Sequence, residues 1–294
     1  MVATLELSTP LWRLVLCPSI GGAVSRLALA GRDILRPLDL LLAGSGEAVR
    51  SSAGYMLAPY SNRIADAAFH WDGATVRLAR NFGDHPHCIH GFAWQRPWRV
   101  ESQASNSATL VLDHPGDVDW PFRCCLRQRW RLDGPLLTLE LEVENHDELD
   151  MPAGLGWHPY FLREGLEAAF RCDGVWLSDD RQLPERHVDV PAEWDFTARR
   201  PVGSPGLDHC FTGWAREVCL IWPRQGLGVL MTASEVMSHL VLFTPQKSDV
   251  IGIEPVSHAN NALNMPDPIA AGIHRLAPGE RLAGHIHLTG KIES

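Results

Sequence analysis

Residues suited to chemistry fall in five short polar segments, each flanked by apolar sequence. In order they are Asn62-Arg63, His85-Pro86-His87-Cys88-Ile89-His90-Gly91, Trp157-His158-Pro159-Tyr160-Phe161, Asp208-His209-Cys210-Phe211 and Ile253-Glu254-Pro255. Glu254 is the sharpest position. It ends the apolar run Val250-Ile251-Gly252-Ile253, so its carboxylate must be paired, hydrogen-bonded or neutralised. A salt bridge to an arginine would satisfy it structurally. The functional reading is a general base whose pKa is set by partial burial, with Pro255 ending the strand pairing. His158 follows Gly154-Leu155-Gly156-Trp157, where two glycines allow close backbone approach. Imidazole is the natural proton donor near neutral pH. The aromatic residues beside it either wall a pocket or fill the core.

The His85–His90 run offers nitrogen and sulfur ligands within six residues and invites a zinc reading. His85-Pro86 reads as a loop, however, and a mononuclear site usually draws ligands from separate segments, so this is the weaker reading. His285 and His287 stand at i and i+2 on a strand and so share one face, most simply a solvated one.

These groups need elements to position them, and the dominant period is two. Residues 136–144 alternate leucine and valine with threonine and glutamate, a half-buried strand with one solvated face. Residues 126–132 alternate apolar and glutamine positions with three arginines, and Asp133-Gly134 then supplies a hairpin turn. Asp72-Gly73 signals a second hairpin, and 282–292 alternates again. Shorter strands are expected at 11–17, 23–29, 98–101, 108–113, 218–222, 227–232, 239–243 and 250–254. A short helix is expected at 33–43 and one turn within 260–271. Many strands without βα alternation predict an all-β fold, a large antiparallel β-sandwich with few short helices, forming one domain over 1–294. No glycine-rich phosphate loop opens a helix, which argues against a nucleotide-binding α/β fold.

Composition narrows the partners. The chain has 294 residues, and its 35 acidic side chains against 26 basic ones give a formal charge of −9. That excess argues against a nucleic-acid or membrane-surface binder. Seven cysteines without framework spacing predict reduced thiols and a cytoplasmic location. The first residues lack a basic region before an unbroken apolar stretch, so they do not read as a signal peptide. No run of 18 apolar residues is present to span a membrane.

Taken together, Asn62-Arg63-Ile64, Ile89-His90-Gly91, His158-Pro159-Tyr160-Phe161, Asp208-His209-Cys210-Phe211 and Glu254 resemble the aldose 1-epimerases, the galactose mutarotase family, in order and approximate spacing. The resemblance runs from about residue 20 to the C-terminus. It implies a galactose-mutarotase-like sandwich with a cleft on one sheet, a small-molecule sugar substrate, and neither cofactor nor metal. It implies Glu254 as general base and His158 as general acid. By the same resemblance His90, Arg63 and Asp208 hold the sugar, and Asn62 and Tyr160 line the cleft. The segments Gly91-Phe92-Ala93-Trp94-Gln95-Arg96-Pro97-Trp98 and Pro255-Val256-Ser257-His258 depart from the larger members and resemble a shorter bacterial branch.

The implied reaction interconverts the α and β anomers of a free aldohexose by ring opening and closure. Two acid–base groups suffice for it. One alternative is a hexose-6-phosphate mutarotase, for which Arg96, Arg99 and Arg163 are the candidate phosphate ligands. Another is a non-catalytic carbohydrate-binding protein on the same sandwich. A zinc hydrolase ranks third.

Overall fold

The computed structural model describes residues 2–42 and 47–292. Two antiparallel sheets dominate it. The first has eleven strands, in the order Leu5–Ser8, Trp12–Cys17, Ala23–Leu29, Gly54–Leu57, Gly156–Leu162, Val250–Val256, His239–Phe243, Asp208–Thr212, Gly174–Ser178 and Pro184–Asp189, with Arg32–Asp33 paired to Ala23–Leu29. The second has nine, in the order Arg99–Gln103, Ser107–His114, Cys124–Asp133, Leu136–Asn145, Arg281–Ile292, Leu227–Ala233, Glu217–Trp222, Glu167–Ala169 and Arg200–Pro201. Each strand expected from the alternation is present to within about two residues. Both predicted hairpins form, with Ala68–Trp71 paired to Ala74–Arg77 and Cys124–Asp133 paired to Leu136–Asn145.

Aromatic side chains join the sheets. Trp130 of the second sheet meets Trp157 of the first edge-to-face, with ring centroids 6.1 Å apart. Phe161 packs on Trp222, whose indole N–H donates to the Leu162 carbonyl at 2.9 Å. Trp12 donates likewise to the Pro135 carbonyl at 2.8 Å. Large rings thus fill the interface, and the indole N–H groups of Trp12 and Trp222 stay bonded.

Three expectations need correction. Residues 33–42 form no α-helix: Arg32–Asp33 is a short strand and Leu40–Leu42 a single 3-10 turn. Pro37 removes a backbone donor from the middle of that segment. The last residue of the expected helix, 43, lies outside the described residues. Pro255 does not end its strand, which continues to Val256 and pairs Leu240 with Pro255 and His239 with Val256. The glutamate face of Leu136–Asn145 is not simply solvated either. Glu142 is buried and accepts from Arg127 at 2.7 Å and Arg129 at 3.0 Å, forming a charge ladder across the two strands. The turn expected within 260–271 is present at Ala262–Asn264. Among the described residues no helix is long and apolar enough to cross a membrane.

Trp130 is 2% exposed and, with Trp222, joins the second sheet to the strand of His158. Trp130→Ala is expected to destabilise the fold by about 3–5 kcal/mol, the range for removing a buried large aromatic side chain. Chemical denaturation measures it, and a loss under about 1 kcal/mol would show that the sheets do not depend on this contact.

Candidate active site

Side-chain alternation assigns the two faces of the first sheet. Along Gly156–Leu162, Trp157 and Phe161 enter the core between the sheets, while His158 and Tyr160 face outward. Along Val250–Val256, Ile251 and Ile253 enter the core and Glu254 faces outward. The ladder between these strands pairs Gly156 with Val256 and Tyr160 with Gly252, and carries no pairs between those points. The register through the gap sets His158 directly opposite Glu254. Pro159 and Pro255 fall in the gap, and neither has an N–H to contribute to the ladder. On the other side of its strand His158 pairs with Tyr55. Tyr55, His158, Glu254 and Val241 therefore form one cross-strand row. Tyr160, Gly252, Phe243 and Asp208 form the next.

His158 and Glu254 are in contact, with Nε2 to Oε1 at 3.2 Å, and are only 5% and 2% exposed. Gly252 makes the room. A Cβ there would lie 2.7 Å from Glu254 Oε1, 3.2 Å from Phe243 Cβ and 3.3 Å from His158 Cε1. Glu254 is thus not the strand-end salt bridge to an arginine that its sequence position also allowed. Burial raises the Glu254 pKa well above the ordinary carboxylate value, with the Asp208 charge adding to the rise and Arg63 opposing it. Burial also drives His158 down to about 3, assisted by the charge of Arg36. Both effects favour a neutral imidazole beside a protonated carboxyl, one proton shared by the pair.

A second group of side chains hangs over this floor. Arg63–Ile64 pairs with Cys88–Ile89, which brings Asn62, Arg63 and His90 together. The Asn62 N–H donates to His90 Nδ1 at 3.0 Å, and the His90 N–H donates to the Asn62 carbonyl at 2.9 Å. Because Nδ1 accepts, neutral His90 carries its proton on Nε2 and is a donor. Burial, with His158 and Arg63 nearby, holds His90 well below the usual histidine pKa. Asn62 and His90 both have positive φ, 56° and 63°. Arg63 donates to Asp208 Oδ2 at 3.2 Å, to Asn62 Oδ1 at 3.2 Å and to Gln182 Oε1.

All seven expected site residues, Glu254, His158, Arg63, His90, Asp208, Asn62 and Tyr160, line one cleft. Polar side chains converge there beside aromatic ones, the make-up of a small-molecule site. The other polar motif residues turn elsewhere. His209 stacks on Trp194 with centroids 5.1 Å apart. His87 Nδ1 accepts from the Asp66 N–H, His85 Nδ1 from the His87 N–H, and the Cys88 thiol bonds the Ala79 carbonyl. Among the described residues, no three His, Cys, Asp or Glu side chains converge as metal ligands. His285 and His287 do share a face, with rings 4.6 Å apart.

Several contributors escape the sequence reading. The Tyr55 hydroxyl is 3.1 Å from that of Tyr160, and both rings lie against His158 with centroids 5.2 and 4.3 Å away. Arg36 covers the Tyr160 ring at 4.3 Å and donates to the Arg50 and Ser52 carbonyls. Gly54-Tyr55-Met56-Leu57 is buried throughout, so no polar alternation marks Tyr55 as facing a cleft. Gln182 sits in a polar turn with no periodic signal.

The desolvated pair makes one measurable statement. Histidine nitrogen signals in NMR are expected to show His158 neutral from pH 8 down to pH 5. A titration of His158 near its ordinary value of about 6.5 would mean that the pair is solvated.

The chain resembles known proteins in sequence and in fold. The family model for aldose 1-epimerases matches residues 4–289. The chain is 27% identical over 259 residues to YphB of Escherichia coli K12, described as uncharacterised, across 85% of this chain and 88% of that one. It is 25% identical over 203 residues to an aldose 1-epimerase of Haemophilus influenzae, across 60% and 59% of the two chains. Among solved structures, a galactose mutarotase-like protein from Clostridium acetobutylicum superposes with a TM-score of 0.87 at 20% identity, covering 98% of this chain and 94% of the other. A GalM/aldose epimerase homologue from Caenorhabditis elegans gives 0.83 at 18% identity, covering 99% of each chain. These two likenesses establish the galactose mutarotase-like fold, and the match along nearly the whole sequence establishes the lineage: the chain belongs to the aldose 1-epimerase family.

Proposed function

We propose that the protein is an aldose 1-epimerase that interconverts the α and β anomers of a free aldohexose. The contact between buried His158 and Glu254 at the floor of the cleft carries this reading. In the productive ionic form the shared proton sits on His158. The Glu254 carboxylate takes the proton from the C1 hydroxyl, the C1–O5 bond breaks as the C1 carbonyl forms, and the His158 imidazolium protonates O5. The pair ends as carboxylic acid and neutral imidazole, the state that burial favours. Desolvation thus makes Glu254 a stronger base and His158 a stronger acid for ring opening. The free aldehyde turns about C1–C2, and the reverse transfers close the ring on its other face.

Arg63 and the Nε2–H of His90 are donors to sugar oxygens, and the Asp208 carboxylate accepts from hydroxyls. The walls formed by Phe82, Ile89 and Phe243 suit the apolar faces of a pyranose. The arginines lining the cleft support a neutral substrate. Arg50 pairs with Glu47 and Arg63 with Asp208. Arg96 binds Asp117 and Asp119, Arg99 lies near Asp113, and Arg163 bonds the Pro245 carbonyl, all away from the cleft lining. A purely sugar-binding protein has no use for a desolvated acid–base pair, which costs stability. The seven cysteines are all free thiols, which supports a cytoplasmic setting.

Polarimetry of fresh α-glucose and α-galactose, with glucose 6-phosphate alongside, tests the assignment. Acceleration of at least one free sugar is expected; acceleration of the phosphate alone would overturn it. Glu254→Gln should cost about 10²–10⁴-fold in kcat while sugar binding persists. Gly252→Ala pushes a Cβ against the Glu254 carboxylate and should cost about 10²-fold in kcat/KM, the scale of a small misplacement. Normal turnover in the Gln variant would remove Glu254 from the proton transfer.

A further inference from the structure

Ser257, His258 and Asn261 lie just beyond the strand of Glu254 and bind the other two parts of the cleft. The Leu155 N–H donates to Ser257 Oγ at 2.9 Å and the Ser257 N–H to the Leu155 carbonyl at 2.8 Å, which ties the approach to His158. The Asn261 N–H donates to the Arg63 carbonyl at 3.0 Å, and Asn261 Oδ1 accepts from the Ala65 N–H at 2.9 Å.

His258 is the centre of this arrangement. Its Nδ1–H donates to the Ala259 carbonyl at 2.8 Å, which leaves Nε2 as an acceptor. That nitrogen receives the Ser61 N–H at 2.9 Å, across 197 residues of sequence. The ring is 2% exposed, and burial holds its pKa down to about 4, so the acceptor persists at neutral pH. Its slot requires glycine. A Cβ at Gly154 would lie 2.2 Å from His258 Cδ2, and one at Gly272 2.8 Å from His258 Cα. Ser61 directly precedes Asn62 and Arg63.

We propose that His258 is a positioning residue that fixes the Asn62–Arg63 turn, and through it His90, relative to the Glu254 strand. It touches no reacting atom. Its kinetic consequence rests on the aldose 1-epimerase reading. Glutamine can in principle replace both hydrogen bonds, whereas phenylalanine fills the slot and supplies neither, and asparagine stops one methylene short of Ser61.

The test compares His258→Phe, His258→Asn and His258→Gln, each measured per folded molecule. Phe and Asn are expected to lower kcat/KM by about tenfold to a hundredfold, chiefly through KM because the displaced groups hold the sugar. Gln is expected to recover most of that loss. In parallel, the Ser61 amide should exchange slowly with solvent in the native protein and the Gln variant and quickly in the Phe and Asn variants. If the Phe variant does not fold, the Asn–Gln pair gives the same comparison. A packing residue alone would lower the melting temperature of all three and leave their kinetic constants unchanged, and that result overturns the proposal. So does rapid Ser61 exchange in the native protein. A native protein inactive on every aldose would instead sink the functional reading, while the exchange comparison still decides whether His258 fixes the turn.

Discussion

The organisation of the cleft depends on holding an imidazole and a carboxyl against each other out of water. Two facing strands achieve it. His158 and Glu254 stand opposite one another where the ladder opens, and Pro159 and Pro255 occupy that opening without leaving backbone donors unpaired. Removing such groups from water is costly, and apolar residues would serve packing better. The site retains the pair, and His158 Nδ1 and Glu254 Oε2 have no protein partner.

Surrounding residues adjust the pair without displacing it. Tyr160 touches both Arg36 and His158, and the nearby guanidinium charge disfavours the imidazolium. Asp208 and Arg63 act on Glu254 in opposite senses, and their own ion pair limits each effect. A charged cleft of this kind is a set of balanced pairs, with Arg63 held by Asp208, Asn62 and Gln182 at once.

The sandwich gives these distances their rigidity. Trp157 and Phe161 anchor in the core between the sheets on either side of Pro159, so the strand that presents His158 and Tyr160 is held on its opposite face by Trp130 and Trp222. The overhanging turn of Asn62 and Arg63 belongs to neither large sheet. Hydrogen bonds from Ser257–Asn261, together with the pairing to Cys88–Ile89, tie it to the rest of the cleft.

The two-residue period was sufficient to identify an all-β chain and to place strands such as Leu136–Asn145 and Arg281–Ile292, because burying one face of a sheet imposes that alternation directly. Residues 33–42 do not form the expected helix, and Pro37 removes a backbone donor from the middle of that segment. Gly54–Leu57 and Gly156–Leu162, buried on both faces, show no alternation, which is why Tyr55 was missed. Motif order singled out Glu254, His158, Arg63, His90, Asp208, Asn62 and Tyr160, which the fold brings to one cleft. Their chemistry was not legible in that order. Whether Glu254 met an arginine or a histidine depended on the register between strands 96 residues apart in sequence. The proton affinities depended on burial, and burial is a property of the packed sheets, set by long-range contacts that no local stretch of sequence contains.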